Sequence, residues 1–184
     1  MSAVRPQSSL PGVRYGAVDR HVDGRGSFRE LWRADDGPSF VQVNLSTSAA
    51  GVLRGLHLHR RQIDYWVVAS GRAFLALVDV RPLLDGSATV PAVETRELDA
   101  DDWVMIPEGV AHGFLALEAL ELLYLVTNFY DGSDELGFAW DDPSVAVPWP
   151  APPRPVAGHP IVSERDASNP PLADLVARLR AEAS

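Results

Sequence analysis

The stretch Arg54–Val80, RGLHLHRRQIDYWVVASGRAFLALVDV, decides how the rest of the chain is read. Two apolar runs, DYWVVAS (64–70) and AFLALVDV (73–80), flank Gly71-Arg72. A two-residue connection containing glycine between such runs predicts a tight β-hairpin. Further strand-like segments lie on either side. FVQVNLST (40–47) places Phe40, Gln42, Asn44 and Ser46 on one side and Val41, Val43 and Leu45 on the other. Downstream come WVMIP (103–107), GFLAL (113–117) and ELLYLVTNFY (121–130), with Gly, Asp and Pro between the runs. Short apolar segments at this spacing predict an all-β sandwich or barrel rather than a βαβ fold.

The C-terminal third reads differently. VPWPAPPRPVAGHP (147–160) is too rich in proline to join a central strand and reads as an extended arm. PLADLVARLRAEA (171–183) is the one amphipathic helix, with Leu172, Leu175, Val176 and Leu179 on one face and a proline at its start. The expected organisation is a single domain over residues 1–184, with a β core at 13–146, the arm at 147–160 and a short helix at 171–183.

Composition excludes several function classes. The 184 residues include 25 acidic and 16 basic side chains, net −9, which argues against a nucleic-acid or anionic-membrane surface spread over the protein. Cysteine is absent, so there is no disulfide framework, thiolate nucleophile or cysteine metal site. All 16 basic residues are arginine. The absence of lysine removes Schiff-base chemistry, a lysine general base and a P-loop lysine together. The opening MSAVRPQSSLPG is polar, and no apolar run approaches the ~20 residues that span a bilayer, so a soluble cytoplasmic protein is expected.

Two clusters carry the chemistry. The first is Arg54-Gly55-Leu56-His57-Leu58-His59, followed by Asp64. The second is Pro107-Glu108-Gly109-Val110-Ala111-His112-Gly113-Phe114. A lone histidine on a strand is usually a satisfied core residue. Three histidines, an arginine and a carboxylate in two strand-edge motifs point instead to a site. Residues i and i+2 of a strand share a face, so His57 and His59 are expected to point the same way, into a barrel interior.

Read in order, Asp23-Gly24-Arg25-Gly26…Glu30, Gln42-Val43-Asn44-Leu45-Ser46, Arg54-Gly55-Leu56-His57, Ile106 through Phe114, Tyr124…Tyr130, Trp140-Asp141-Asp142-Pro143, Trp149-Pro150 and Ser163-Glu164-Arg165-Asp166 form a recognisable set. From about residue 13 to 176 the chain resembles the dTDP-4-dehydrorhamnose 3,5-epimerase family, cupin-type jelly rolls acting on nucleotide-linked 4-keto sugars. The resemblance implies a cupin jelly-roll barrel and cofactor-free epimerisation at C3, C5 or both of a dTDP-4-keto-6-deoxyhexose. It also implies a homodimer with its N-terminal segment exchanged or packed across the interface. It assigns His57 as base, Asp166 as the carboxylate that orients it, and Tyr124 as acid. It assigns Arg25, Glu30, Gln42, Asn44, Arg54, Glu135 and Arg165 to the nucleotide, with His112 beside the substrate.

The pattern breaks at one end of that site. The family carries a lysine near the keto oxygen; aligning Gln62 and Gly71 puts Asp64 there. A family aspartate on the next strand is Leu75, a glutamine two residues after the base is His59, and a tyrosine before Tyr130 is Phe129. Losing one charged partner of an enolate oxygen costs roughly 3–4 kcal/mol, which predicts a slower enzyme or one confined to a single centre. Arg54, His59 and His112 are the candidates to hold that oxygen instead.

The same residues have a second reading. Gly51-x5-His57-x-His59-x4-Asp64-x6-Gly71 and Pro107-x-Gly109-x2-His112 follow the two metal-binding cupin motifs, with Asp in place of Glu. His57, His59, Asp64 and His112 would then hold a divalent metal. Against this, His57 would have to serve as both ligand and free base. A third reading is a family member that binds a nucleotide sugar without turnover. The presence of His57, Tyr124 and Asp166 together argues against it.

Overall fold

Antiparallel pairing sorts the strands into two five-stranded sheets and a separate hairpin. The computed structural model describes residues 7–34, 37–130, 132 and 134–183; residues 1–6, the first half of the polar N-terminal stretch, lie outside the described residues. The first sheet is built from β1 (Arg14–Ala17), β4 (Gln42–Ser48), β6 (Asp64–Ser70), β9 (Asp102–Ile106) and β11 (Leu120–Val126), in the order β1-β9-β6-β11-β4. The second contains β5 (Leu53–Leu58), β7 (Arg72–Asp79), β8 (Ala92–Asp99), β10 (Val110–Ala116) and β12 (Leu136–Gly137), in the order β12-β5-β10-β7-β8. The hairpin pairs β2 (Arg20–Asp23) with β3 (Gly26–Arg29). Helices α1 (Arg81–Leu84), α2 (Glu164–Ala167) and α3 (Leu172–Glu182) complete the described elements. This is the expected all-β jelly roll. No helix among the described residues is long and apolar enough to cross a membrane.

Gly71-Arg72 is not a hairpin. β6 pairs with β9 and β11 in the first sheet, whereas β7 pairs with β8 and β10 in the second. The chain changes sheets at Gly71, whose φ of +83° disfavours any residue with a Cβ. A Cβ there would lie 2.1 Å from the Ala119 carbonyl oxygen, so the corner also needs the empty space. Adjacent apolar runs signal two strands but do not say whether they share a sheet.

Burial explains the sequence patterns. β6 and β7 are covered on both faces, which is why their runs are almost continuously apolar. Val68, Leu75, Leu77, Val104 and Leu120 form the core between the sheets. Leu56, Leu58, Val78 and Phe138 pack behind the second sheet against Leu172, Leu175, Val176 and Leu179 of α3. The helix therefore buries the face its periodicity predicts. On β4 the alternation is inverted. Gln42, Asn44 and Ser46 face inward, while Val43 and Leu45 are 62% and 60% exposed. The segment read as 121–130 stops being a strand at Val126. β8, AVETRELD, has too mixed a pattern to be read from sequence.

Two stability predictions follow from these contacts. Gly71→Ala should lower unfolding free energy by at least ~2 kcal/mol in denaturant titration, because both backbone conformation and space oppose the methyl group. Asp142 is buried and accepts the Leu172 N–H that opens α3 at 2.7 Å, as well as Ser144 N–H and Oγ–H. Burial alone would raise its pKa, but the hydrogen bonds from Ser144 and Leu172 outweigh it and hold the carboxyl below its ordinary value. Its stabilisation is thus fully present above the unfolded value of about 3.9 and is lost as pH falls toward the lower folded value. Asp142→Ala should cost ~1 kcal/mol at neutral pH. Thermal midpoints of variant and wild type should converge in acid.

Candidate active site

The inward polar face of β4 has a counterpart across the sandwich. On β5 the pairing register with β10 shifts, so that Arg54 pairs with Phe114 and His57 with His112. One extra residue on β5 makes this a bulge. Strict alternation would put Arg54 and His57 on opposite faces; the bulge turns both into the same cavity. Gly55 sits at the bulge with φ of +124°, and a Cβ on it would lie 2.6 Å from Gly113 Cα. The strands can approach this closely only with glycine at both positions.

The cavity between the sheets has a volume of about 430 Å³. Its first-sheet wall carries Gln42 and Asn44 from β4, Asp64 and Trp66 from β6, and Tyr124 from β11. The second-sheet wall carries Arg54, His57, His59 and His112, and Glu135 and Arg165 join at the mouth. Ten of the predicted residues therefore surround one cavity, and Asp166 stands behind His57. Arg25 and Glu30 are the exceptions. Arg25 lies in the turn of the β2–β3 hairpin, paired with Asp23 at 2.6 Å, and Glu30 pairs with Arg33 at 2.6 Å. Neither lines this cavity, because the hairpin is a separate sheet that does not fold back over its own chain's site.

His57 Nε2 lies 2.8 Å from Asp166 Oδ1. The pairing assigns the proton to Nε2, leaving Nδ1 with its lone pair. Asp166 is fixed in turn by α2. Ser163 caps that helix by accepting the Asp166 N–H at 3.1 Å, and the other carboxylate oxygen accepts Gly55 N–H at 3.2 Å. Burial opposes ionisation of Asp166, but the His57 hydrogen bond, the charge His57 can carry and the Gly55 N–H hold its pKa below the ordinary carboxylate value. It remains an anion ready to stabilise an imidazolium. On the opposite sheet, burial and the Asp64 and Glu135 carboxylates raise the Tyr124 phenol above its ordinary value. Tyr124 therefore keeps its proton at neutral pH and can donate it.

At the mouth, Arg165 Nη2 pairs with Glu135 Oε2 at 3.1 Å. Arg54 donates to Ser48 Oγ and the Thr47 carbonyl. Gln42 Nε2 donates to Asn44 Oδ1 at 2.9 Å, and its Oε1 accepts Tyr130 N–H. A deeper group consists of His59, Asp64 and His112, all buried. Their ligand atoms lie within 4.8 Å of one another. His57 is outside this group, which corrects the four-residue metal set to three: its ring does not bring a nitrogen within that spacing. Burial pushes the Asp64 carboxyl up to about 6, against the opposing pull of His59 and the Gln62 amide. Burial, reinforced by His59 and His57, holds the His112 imidazole well below its ordinary pKa, so it is neutral.

Two supporting residues escape sequence reading. Asp134 accepts His59 through its carbonyl at 2.7 Å, while its carboxylate takes the backbone N–H groups of Arg60 and Arg61. Gln62 Nε2 donates to Asp64 at 3.2 Å. Asp134 sits far along the chain in an Asp/Gly/Ser-rich loop that carries no local signal of this contact.

Comparison with known proteins agrees with this geometry. Residues 7–174 match the family described as dTDP-4-dehydrorhamnose 3,5-epimerase. A dTDP-4-dehydrorhamnose 3,5-epimerase of Mycobacterium tuberculosis is 39% identical over 181 residues, covering 90% of this chain and 86% of that protein. Among solved structures, NovW, a 4-keto-6-deoxy sugar epimerase from the novobiocin biosynthetic gene cluster of Streptomyces spheroides, superposes with a TM-score of 0.82 at 30% identity, covering 98% of this chain and 92% of that one. A double variant of ChmJ, a 3'-monoepimerase from Streptomyces bikiniensis in complex with dTDP, gives a TM-score of 0.78 at 25% identity, covering 96% of each chain.

Proposed function

This chain belongs to the dTDP-4-dehydrorhamnose 3,5-epimerase family and is an epimerase of dTDP-linked 4-keto-6-deoxyhexoses, and we propose that His57, Asp166 and Tyr124 perform its proton transfers. A hydrogen beside a ketone is acidic only if a base takes it while the oxygen's developing charge is held. His57 Nδ1 is that base. Asp166 fixes its tautomer and stabilises the imidazolium that forms. Tyr124, on the facing sheet, returns a proton to the opposite face of the carbon. The observation that carries this reading is the pairing of a carboxylate-backed imidazole on one sheet with a protonated phenol on the other, within one cavity. None of these three groups needs a cofactor to move a proton.

The rim residues suit the nucleotide. Arg54 and Arg165 offer planar donor pairs to diphosphate oxygens, with Glu135 releasing Arg165 as the phosphate arrives. Gln42 and Asn44 present amides to the ribose and base, and the exposed Phe129 and Tyr130 rings offer stacking surfaces.

Incubation with a dTDP-4-keto-6-deoxyhexose in D2O, read by proton NMR at C3 and C5, tests the assignment. His57→Asn should slow exchange by about 10²–10⁴-fold, and Asp166→Asn should slow it by at least ~10-fold. Tyr124→Phe should keep exchange at the centre His57 deprotonates while losing net inversion there, since removal and return of the proton are then uncoupled. Absence of exchange at both carbons in the wild type would sink the epimerase assignment of these residues.

The active form is a homodimer in which the β2–β3 hairpin of one copy reaches the site of the other. This accounts for Arg25 and Glu30 lying away from their own cavity. It also gives a partner to the apolar surface formed by Val43 and Leu45 on the outer face of edge strand β4, together with Val22 and Phe28 of the hairpin. Light scattering should report a dimer for the wild type and a monomer for a Val43→Glu/Leu45→Glu double variant. Arg25→Ala, still dimeric, should weaken dTDP binding about 10-fold or more in calorimetry. A monomeric wild type, or unchanged affinity in Arg25→Ala, refutes the arrangement.

A further inference from the structure

Three potential metal-ligand side chains, His59, Asp64 and His112, meet on the cavity floor. His59 Nδ1 lies 2.7 Å from the Asp134 carbonyl oxygen, and His112 Nδ1 lies 3.2 Å from the Val110 carbonyl oxygen. Each ring satisfies that carbonyl by donating N–H from Nδ1, which leaves Nε2 available as a ligand atom in the neutral ring. His59 Nε2 stands 4.0 Å from Asp64 Oδ2. Asp64 is 3% exposed, and the Gln62 amide donates to it at 3.2 Å. The three ligand atoms lie within 4.8 Å of one another inside a buried pocket, close to the spacing that a shared cation requires. An imidazole whose second nitrogen donates to a backbone carbonyl is also the arrangement that orients histidine ligands around metals.

We propose that His59, Asp64 and His112 bind one first-row divalent cation on the cavity floor, leaving its remaining positions open to the substrate's ketone oxygen. The donor set, two imidazole nitrogens and one carboxylate oxygen on one side of a centre, suits such an ion with an accessible face. Donors about 2.1 Å from a cation lie roughly 3 Å apart, so closing from the present spacing asks each donor to move by at most about 1 Å. The site supplies what the rest of the cavity lacks. The arginines that line it, Arg54 and Arg165, are exposed and engaged at the mouth. With no lysine in the chain, no lysine or arginine reaches the floor among the described residues. His112 and His57 occupy paired positions on adjacent strands, with ring centroids 6.5 Å apart. A ketone whose oxygen meets the cation would thus present its neighbouring carbon, two bonds away, toward the base. His57 remains free for that task because it is not a ligand. The cation's catalytic role rests on the epimerase reading; the binding site does not.

Chelator-treated protein titrated with Co²⁺, followed by its visible absorption bands, together with elemental analysis of protein grown with Zn²⁺ and Mn²⁺, tests the site. Wild type should bind about one equivalent per chain. His59→Gln and Asp64→Asn should each weaken binding at least ~100-fold while retaining the wild-type circular dichroism spectrum. His57→Asn should keep the cobalt spectrum. Wild type with neither bound metal nor cobalt bands overturns the site, as does binding that persists in both ligand variants or is lost in His57→Asn. Metal-stripped wild type that exchanges solvent deuterium at the full rate overturns the oxygen-holding role. Stoichiometric cation without exchange at C3 or C5 would leave the site standing and remove the epimerase mechanism instead.

Discussion

The site depends on how closely β5 and β10 approach each other at Gly55 and Gly113. A Cβ on Gly113 would lie 2.7 Å from the Arg54 carbonyl oxygen, and one on Gly55 would meet Gly113 itself. Two facing glycines therefore permit the bulge that turns Arg54 and His57 into one cavity. The same bulge exposes the Gly55 N–H to Asp166, which arrives from α2, more than a hundred residues later. The carboxylate that orients the base is thus docked by the backbone distortion that aims the base. Side chains on either glycine would separate the strands, shift His57 and remove the N–H donor to Asp166 together.

What the sequence reveals follows from how local each signal is. The helical face of Leu172, Leu175, Val176 and Leu179 is local, and all four residues are buried as the period requires. The apolar runs at 64–70 and 73–80 mark strands for the same reason. The sheet each strand joins is a long-range property, so Gly71 reads as a hairpin although it is a crossover. The alternation on β4 locates two faces without saying which is inward. Its polar face lines the site and its apolar face points away, because this interior is half core and half cavity. Arg54 and His57 share a wall through a bulge that residue parity hides.

The functional residues divide in the same way. The ordered motifs single out His57, Tyr124, Arg54, Gln42, Asn44, Glu135 and Arg165, and the fold brings all seven around one cavity, with Asp166 behind His57. Arg25 and Glu30 belong to the same motif set yet lie in and just beyond a hairpin apart from the cavity; the proposed dimer would carry them to the site of a second copy. The four-ligand metal pattern is visible as spacing, but spacing cannot show that Asp166 already occupies one nitrogen of His57. Nor can it show the Asp134 and Val110 carbonyls that fix the protons of His59 and His112.

The absence of lysine takes on a specific meaning at this site. On a surface, arginine replaces lysine with little consequence, and a chain with 16 arginines is well supplied with positive charge. On the cavity floor the replacement is an aspartate, and the charge changes sign. A single reversal there would leave a buried anion facing the ketone oxygen, opposing the charge that enolisation creates. His59, the other departure from the family pattern in this group, lies beside that aspartate. Under the proposed cation site, these two residues and His112 would change a site that carries its own cation into one that acquires it. Neither departure fits the chemistry well alone. As a pair, they keep the electrostatic requirement of α-proton removal while changing the kind of group that meets it.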